Sequence, residues 1–321
     1  MHTSHIVVTG GAGFIGSNLV RALNKAGYNR ITIVDHLSNT GKWKRLRGLR
    51  FQQYVDRDDF LTQIRQNACS PIDIFFHLGA ITRTTETDEA ALLHYNSNYS
   101  KVLFDYAAQQ SSRFIYASSA ATYGDGSQGY NDQEENLHPI NCYGYSKHLF
   151  DQWVRNSVTR PPQWVGLKFF NVFGPGEDHK GPMASVVYHG YNQILRDGRL
   201  RLFESHRPGI AHGEQKRDFV SVHDVVNVLM FMMNHHGVSG IANVGAGAAR
   251  SFNDLGHALF AALKRPPAIE YFPMPEHLRK QYQYWTQADL TTLRGMGYRD
   301  AFTPIEQAVS DYVNFMASDG L

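Results

Sequence analysis

Apolar residues gather in short runs along the first half of the chain, and turn signals close each run. His5 to Thr9 predicts a short buried strand. Ile31 to Asp35, Ile72 to Leu78, Arg113 to Ser118 and Trp164 to Phe170 predict four more. Helical patterns lie between them, from Ser17 to Ala26 across Arg21, and around Ala107 and Phe150. Strands alternating with helices predict a parallel sheet with helices on both faces. After Phe170 this rhythm breaks. Residues 172–183 carry Gly174, Pro175, Gly176, Gly181 and Pro182 and read as a loop, as does the polar segment Ser205 to Gln215. Phe219 to Val222 reads as a strand, with Asp224 as cap of a helix running to Met233, and Ile241 to Val244 as another strand. The expected fold is α/β: a Rossmann-type doubly wound parallel sheet with a smaller mixed α/β substrate domain. Residues 1–170 and 219–244 form the nucleotide-binding part, and 171–218 and 245–321 the substrate part.

Composition narrows the function. The 321 residues are 42% hydrophobic and 19% charged, as in a globular enzyme. A net charge of +2 is too small to argue for nucleic acid or an anionic membrane. Cys69 and Cys142, the only cysteines, belong to no metal-ligand pair and suggest a reducing compartment. The start of the chain has no basic region and no long apolar stretch. The most apolar later segment, Val225 to Met233, is about half the length a membrane span needs. The expected location is cytoplasmic. His235-His236 lacks further ligands at useful spacing, so no metal is expected.

The chemistry starts at Gly10-Gly11-Ala12-Gly13-Phe14-Ile15-Gly16, between strand and helix. Gly10 allows the tight turn, Gly13 a close approach to a pyrophosphate, and Gly16 close helix–strand packing. The helix N-terminus adds partial positive charge. Asp35 ends the second strand, where an acid takes ribose hydroxyls and favours NAD. Lys42, Lys44, Arg45 and Arg57 follow, able to pair with a 2′-phosphate and favour NADP. Leu78, Gly79 and Ala80 end another strand in a small-residue turn that lets the chain pass under the cofactor. Ser118 and Ser119 end the next, where a hydroxyl can bond a reacting oxygen. Tyr143 and Lys147 share one helix face. An ammonium beside a phenol lowers its pKa from about 10, so the pair can move a proton.

Glycine turn, serine and Tyr-Lys pair occur in the order of the extended short-chain dehydrogenase/reductases. Further blocks extend the likeness: Asn171-Val172-Phe173-Gly174-Pro175, His179-Lys180-Gly181 with Met183-Ala184-Ser185, Lys216-Arg217-Asp218-Phe219-Val220, and Thr286-Gln287-Ala288-Asp289-Leu290. With them the chain resembles the ADP-L-glycero-D-manno-heptose 6-epimerase family over nearly its whole length. The resemblance implies redox epimerisation at C6 of an ADP-heptose through a transient ketone, with bound NADP rather than NAD, in the synthesis of lipopolysaccharide core heptose. It implies Tyr143 and Lys180 as acid/bases, Lys147 on the nicotinamide ribose and Ser119 as hydroxyl partner. Phe14, Ile15, Asp35, His36, Lys42, Arg57, Asn96, Val172 and Lys180 fall at cofactor positions. Asn171, His189, Phe203, Glu204, Arg217 and Tyr282 fall at substrate positions. A homo-oligomer, a ring of five, is implied as well. His36 replaces an asparagine usual in the family, Pro182 replaces a serine, and the Ser205–Gln215 loop is longer. Another nucleotide-sugar epimerase, such as a UDP-hexose 4-epimerase, is the alternative. A dehydratase would carry Asp-Glu where Ala120-Ala121 stands.

Overall fold

The structure is a computed structural model and describes residues 2–38, 41–279 and 282–318. The strands described are β1 (Ile6–Thr9), β2 (Ile31–Asp35), β3 (Gln53–Asp56), β4 (Ile74–His77), β5 (Arg113–Ser119), β6 (Trp164–Phe169), β7 (Asn171–Phe173), β8 (Leu200–Phe203), β9 (Lys216–Ser221), β10 (Gly240–Val244), β11 (Ala249–Ser251) and β12 (Ile269–Phe272). Seven build one parallel sheet in the order β10-β6-β5-β4-β1-β2-β3. A small second sheet pairs β9 antiparallel with β11 and parallel with β7. β8 and β12 pair in parallel beside it. The Rossmann-type sheet with a smaller mixed part is as the pattern predicts.

Alternation within each strand explains the two faces. Ile6 and Val8 of β1, Ile74 and Phe76 of β4 and Ile115 of β5 pack with Leu19, Val20 and Leu23 of the Phe14–Lys25 helix. Val225, Val228, Leu229 and Met232 of the Val222–Asn234 helix complete that core. Val7, Phe75, Phe114 and Tyr116 point the other way, against Phe60, Leu103, Phe104 and Phe150. A third core joins Phe173, Val187, Leu200, Phe219, Leu259 and Val309. Leu293 and Tyr298, late in the chain, pack into the first core. The ends of the expected domain ranges, Met1 and residues 319–321, lie outside the described residues.

Several local expectations shift. The first helix begins at Phe14, three residues earlier than its apolar pattern suggests, because Gly13 serves as its N-cap. Ser221, rather than Asp224, caps the Val222–Asn234 helix by accepting from His223 N at 3.2 Å. Asp224 instead accepts from Thr303 N and Oγ1 at 2.9 and 3.0 Å, tying the late chain to this helix. Val222 belongs to the helix, so the strand ends at Ser221. The 172–183 loop contains part of β7 and one tight turn, Asp178–Met183.

The site depends on backbone contact at two turns. Gly10 has φ 69° and donates to Val34 O at 2.7 Å. A methyl group there would stand 2.7 Å from Gly79 N, so β1 and β4 end in glycine against glycine. A methyl on Gly16 would collide with the Gly10 carbonyl. Gly16→Ala is therefore expected to cost about 1–3 kcal/mol, the scale of overpacking. Denaturant midpoints of the purified variant measure it; a midpoint equal to the parent's would show that the turn relaxes freely.

Candidate active site

The carboxyl ends of β1, β4 and β5 meet where the strand order reverses, the place where open α/β sheets hold ligands. The Phe14–Lys25 helix starts there with no side-chain cap and no acid in its first turn. Its first N–H groups thus stay available to an anion. Asp35 sits beside this turn, 5% exposed. Its carboxylate accepts from Ala12 N at 2.9 Å, His36 N at 2.7 Å and Lys42 Nζ at 2.9 Å. The acid is therefore neutralised by a lysine.

Behind the second turn lies a buried polar chain. Ser100 Oγ donates to Asn96 O at 2.8 Å, so its only proton is used. His77 Nε2, 2.7 Å away, must donate to that oxygen, and Nδ1 then accepts from Thr9 Oγ1 at 2.7 Å. Thr9 Oγ1 in turn accepts from Gly79 N at 3.0 Å. Burial first, and the Lys147 charge second, push His77 down to about 3, so the ring stays neutral. Asn96 is fully buried. Its amide brackets Ile81 through N and O at 2.8 and 2.9 Å and reaches Ser146 Oγ at 3.0 Å. All its polar atoms serve the protein.

Tyr143 and Lys147 stand on the Cys142–Asn156 helix, whose cap Asn141 accepts from Gly144 N at 2.8 Å. Lys147 Nζ donates to Ala117 O at 2.8 Å. Burial pulls its pKa down to about 8, with Asp151 opposing. The Tyr143 pKa moves up, not down. Burial raises it, and a hydrogen bond with Ser119 opposes. The expected lowering by Lys147 is overridden by desolvation of the phenolate. Asp151, one turn beyond Lys147, accepts from Tyr116 OH at 2.9 Å and Ser118 Oγ at 2.7 Å and lies 3.4 Å from Lys168 Nζ. Ser118 is thereby committed to Asp151, which leaves Ser119 for Tyr143.

Lys180 arrives on the loop after β7. Glu177, fully buried, holds that loop by accepting from Gly174 N at 3.1 Å and Ser185 N and Oγ at 2.5 and 2.7 Å. The ammonium stands 5.3 Å from the centre of the Phe14 ring. Burial lowers its pKa, with Glu177 opposing.

Gly10, Gly13, Phe14, Ile15, Gly16, Asp35, Lys42, Leu78, Gly79, Ala80, Ser119, Tyr143, Lys147, Asn171, Val172 and Lys180 all line one cavity of about 560 Å³. His36 and Arg57 line a neighbouring one of about 350 Å³, together with Asp35 and Lys42. The Arg57 guanidinium stacks 3.5 Å from the Tyr95 ring centre. Asn96, His189, Phe203, Glu204, Arg217 and Tyr282 line neither. Phe203, Arg217 and Tyr282 form their own cluster: the guanidinium is 4.9 Å from the Tyr282 ring centre and 5.8 Å from that of Phe252, a wall of the larger cavity. Arg217 is 7% exposed. Its hydrogen bond to the Lys216 carbonyl brings no negative charge, and burial lowers its pKa. Such a buried cation suits an anionic ligand. Glu204 sits at the cluster's edge, its backbone bonded to Phe272 O at 2.9 Å. His189 stands against Tyr188 on the Val186–Asp197 helix, whose first residues Val186 and Val187 line the larger cavity.

The family model described as NAD dependent epimerase/dehydratase family matches residues 6–245. The chain belongs to that family. It is 44% identical to an ADP-L-glycero-D-manno-heptose-6-epimerase of Fusobacterium nucleatum, over 98% of each chain. It is 46% identical to the enzyme of the same name from Nitratidesulfovibrio vulgaris, over 96% of each. Among solved structures it resembles ADP-L-glycero-D-manno-heptose-6-epimerase of Helicobacter pylori, with a TM-score of 0.84, 29% identity, and coverage of 98% and 96%.

For an enzyme of this family the donor set fits a nicotinamide dinucleotide: an uncapped helix N-terminus over a glycine turn, a buried lysine and a hydroxyl pair at the far end. Sequence reasoning missed Asp151, Glu177, Asn18, whose amide donates to Pro175 O at 2.8 Å, and the donation of Arg45 Nε to Gly176 O at 2.9 Å. Their signal is weak, because each acts on backbone or on other side chains. Among the described residues no group of three or more His, Cys, Asp or Glu side chains stands together as for a metal, and no helix is long and apolar enough to cross a membrane.

The Lys147 shift has a measurable consequence. Its folded-state pKa of about 8 lies below the ordinary 10.5. Between these values the unfolded chain holds more protons, so this residue makes stability rise with pH from 8 to 10.5. Below 8 both states are charged and the full penalty of burying the ammonium applies. The rise is about 3 kcal/mol. Urea midpoints across that window should climb less steeply for Lys147→Met than for the parent; equal slopes would mean that Lys147 titrates normally.

Proposed function

We propose that this chain interconverts ADP-D-glycero-β-D-manno-heptose and ADP-L-glycero-β-D-manno-heptose by epimerisation at C6. The observation that carries the reading is the 44–46% identity, over nearly full length, to enzymes of that name. The convergence of Tyr143, Ser119, Lys147 and Lys180 on one cavity supports it. Incubation with the D-glycero substrate and resolution of the two C6 epimers by NMR tests it. Conversion of a UDP-hexose at C4 instead would replace the reading.

A nicotinamide held in this cavity would supply the hydride chemistry at C6, accepting the hydride and giving it back on the other face. The protein moves the proton of the C6 oxygen. Burial raises the Tyr143 pKa and lowers that of Lys180, shifts in the directions that suit an acid and a base acting from separate elements of the cavity wall. Ser119 orients the Tyr143 hydroxyl, and Lys147 holds the nicotinamide ribose. The Arg217 cluster takes the substrate diphosphate, with Tyr282, Phe203, Glu204, His189 and Asn171 around the ADP-sugar. Asn96 contributes by shaping the Ile81 turn. Residues 171–218 and 245–321 act as the substrate part beside 1–170 and 219–244.

The preferred cofactor is NADP. Lys42 neutralises Asp35 at 2.9 Å, and Arg57 has a buried Nε with no hydrogen-bond partner among the described residues, the Asp58 carboxylate lying 3.8 Å away. Both suit a 2′-phosphate. We also assign the chain to a homo-oligomer, a ring of five by resemblance, which a monomer mass in light scattering would refute. Its free thiols at Cys69 and Cys142 suit the reducing cytoplasm, and its product would serve lipopolysaccharide core synthesis.

Two outcomes are expected. Tyr143→Phe should lower epimerisation by roughly 10²-fold or more with dinucleotide content retained, and Lys180→Met by a similar factor. Wild-type turnover in either folded variant removes that residue from the mechanism. Calorimetry should show NADP binding tighter than NAD to protein stripped of dinucleotide, with the preference reduced at least tenfold in a Lys42→Met, Arg57→Met double variant, as expected on losing two charge-assisted bonds. Tighter NAD binding by the parent would overturn the assignment.

A further inference from the structure

One five-residue turn, Lys42–Leu46, touches both ends of the site. Lys42 reaches back to Asp35, at the dinucleotide end. Arg45, on the same turn, is 2% exposed and reaches the opposite way. Its Nε donates to Gly176 O at 2.9 Å, and its Nη2 to both Asp178 oxygens at 2.9 Å. Asn18, from the first helix, adds a bond to Pro175 O at 2.8 Å. These anchors hold the residues immediately before Lys180. Lys180 N is itself bonded to Glu177 O at 2.9 Å, and His179 Nδ1 lies 3.2 Å from Gly176 O. The loop contains Gly174, Gly176 and Gly181 at positive φ, so its own backbone restrains it weakly.

We propose that Arg45 is a positioning residue: its guanidinium fixes the Gly176–Asp178 segment and so sets where the Lys180 ammonium stands in the cavity. Arg45 lines neither of the two cavities, so its influence on them runs through the loop that carries Lys180. The inference rests on the reading of Lys180 as an acid/base. A lysine cannot replace the arginine, because one ammonium cannot serve both the Gly176 carbonyl, reached by Nε, and the Asp178 carboxylate, reached by Nη2, from two fixed positions. Because Lys42 shares the turn, the dinucleotide end and the acid/base loop are mechanically joined through four residues.

A double-variant cycle on the holoenzyme tests this, with the ADP-heptose as substrate. Arg45→Met should lower kcat by about 10–100-fold, the cost of misplacing a catalytic group by an ångström or so. KM and dinucleotide content should stay near the parent's, and Arg45→Lys should recover only part of the rate. In a Lys180→Met background, Arg45→Met should cost nothing further. If Lys180→Met is impaired and the two losses multiply, Arg45 does not act through Lys180 and the proposal fails alone. If Lys180→Met turns over like the parent, the acid/base reading falls and this one with it. Should Arg45→Met not fold, Asp178→Asn takes its place in the cycle, removing the carboxylate from the exposed end of the clamp, with the same outcomes read the same way.

Discussion

The close approach of two glycines, Gly10 after β1 and Gly79 after β4, is the constraint on which the rest of the site depends. The two turns touch backbone to backbone: a methyl group on Gly10 would stand 2.7 Å from Gly79 N, and one on Gly79 would stand 3.0 Å from Gly10 N. That contact sets the spacing of the strands at the point where the sheet order reverses. It leaves the start of the first helix facing the cavity with unused N–H groups. The chain of Thr9, His77, Ser100 and Asn96 holds the second turn from behind. Neutral His77 in that chain costs less to bury than a charged ring.

A second arrangement places the chemistry. Tyr143 and Lys147 are carried on a helix locked to the sheet by Asp151, which gathers Tyr116, Ser118 and Lys168 around one buried carboxylate. Lys180 is carried by a loop held by Glu177, Asn18 and Arg45. The two acid/base candidates therefore differ in support, one on a helix fixed by buried bonds and one on a glycine-rich loop clamped from outside.

Much of this was legible in the chain. Apolar runs in β1, β2, β5 and β6 mark the sheet because both faces of each strand are buried. The glycine turn, Ser119, Tyr143 and Lys147 are legible because their spacing is local and their chemistry narrow. β3 and the Arg57–Arg65 helix were not, since β3 is an edge strand with only Val55 buried and the helix is largely charged. The parallel pairing of β8 with β12 joins residues far apart in sequence, and no local pattern announces it. The direction of the Tyr143 shift was misread for a related reason. Spacing reveals that Lys147 is near, but not how thoroughly the cavity wall strips water from the phenol.

The last strand of the large sheet has a consequence for biosynthesis. β10 pairs with β6 although some seventy residues of other structure intervene, and it is followed by Leu293 and Tyr298, which pack into the same core. A nascent chain that has emerged only through β6 therefore has Tyr143 and Lys147 in place but an open sheet edge at β6. Exposed edges of that kind recruit other strands. The non-local closure is also slow compared with helix formation. Protection of that edge during synthesis, rather than the stability of the finished fold, then governs how much protein escapes aggregation.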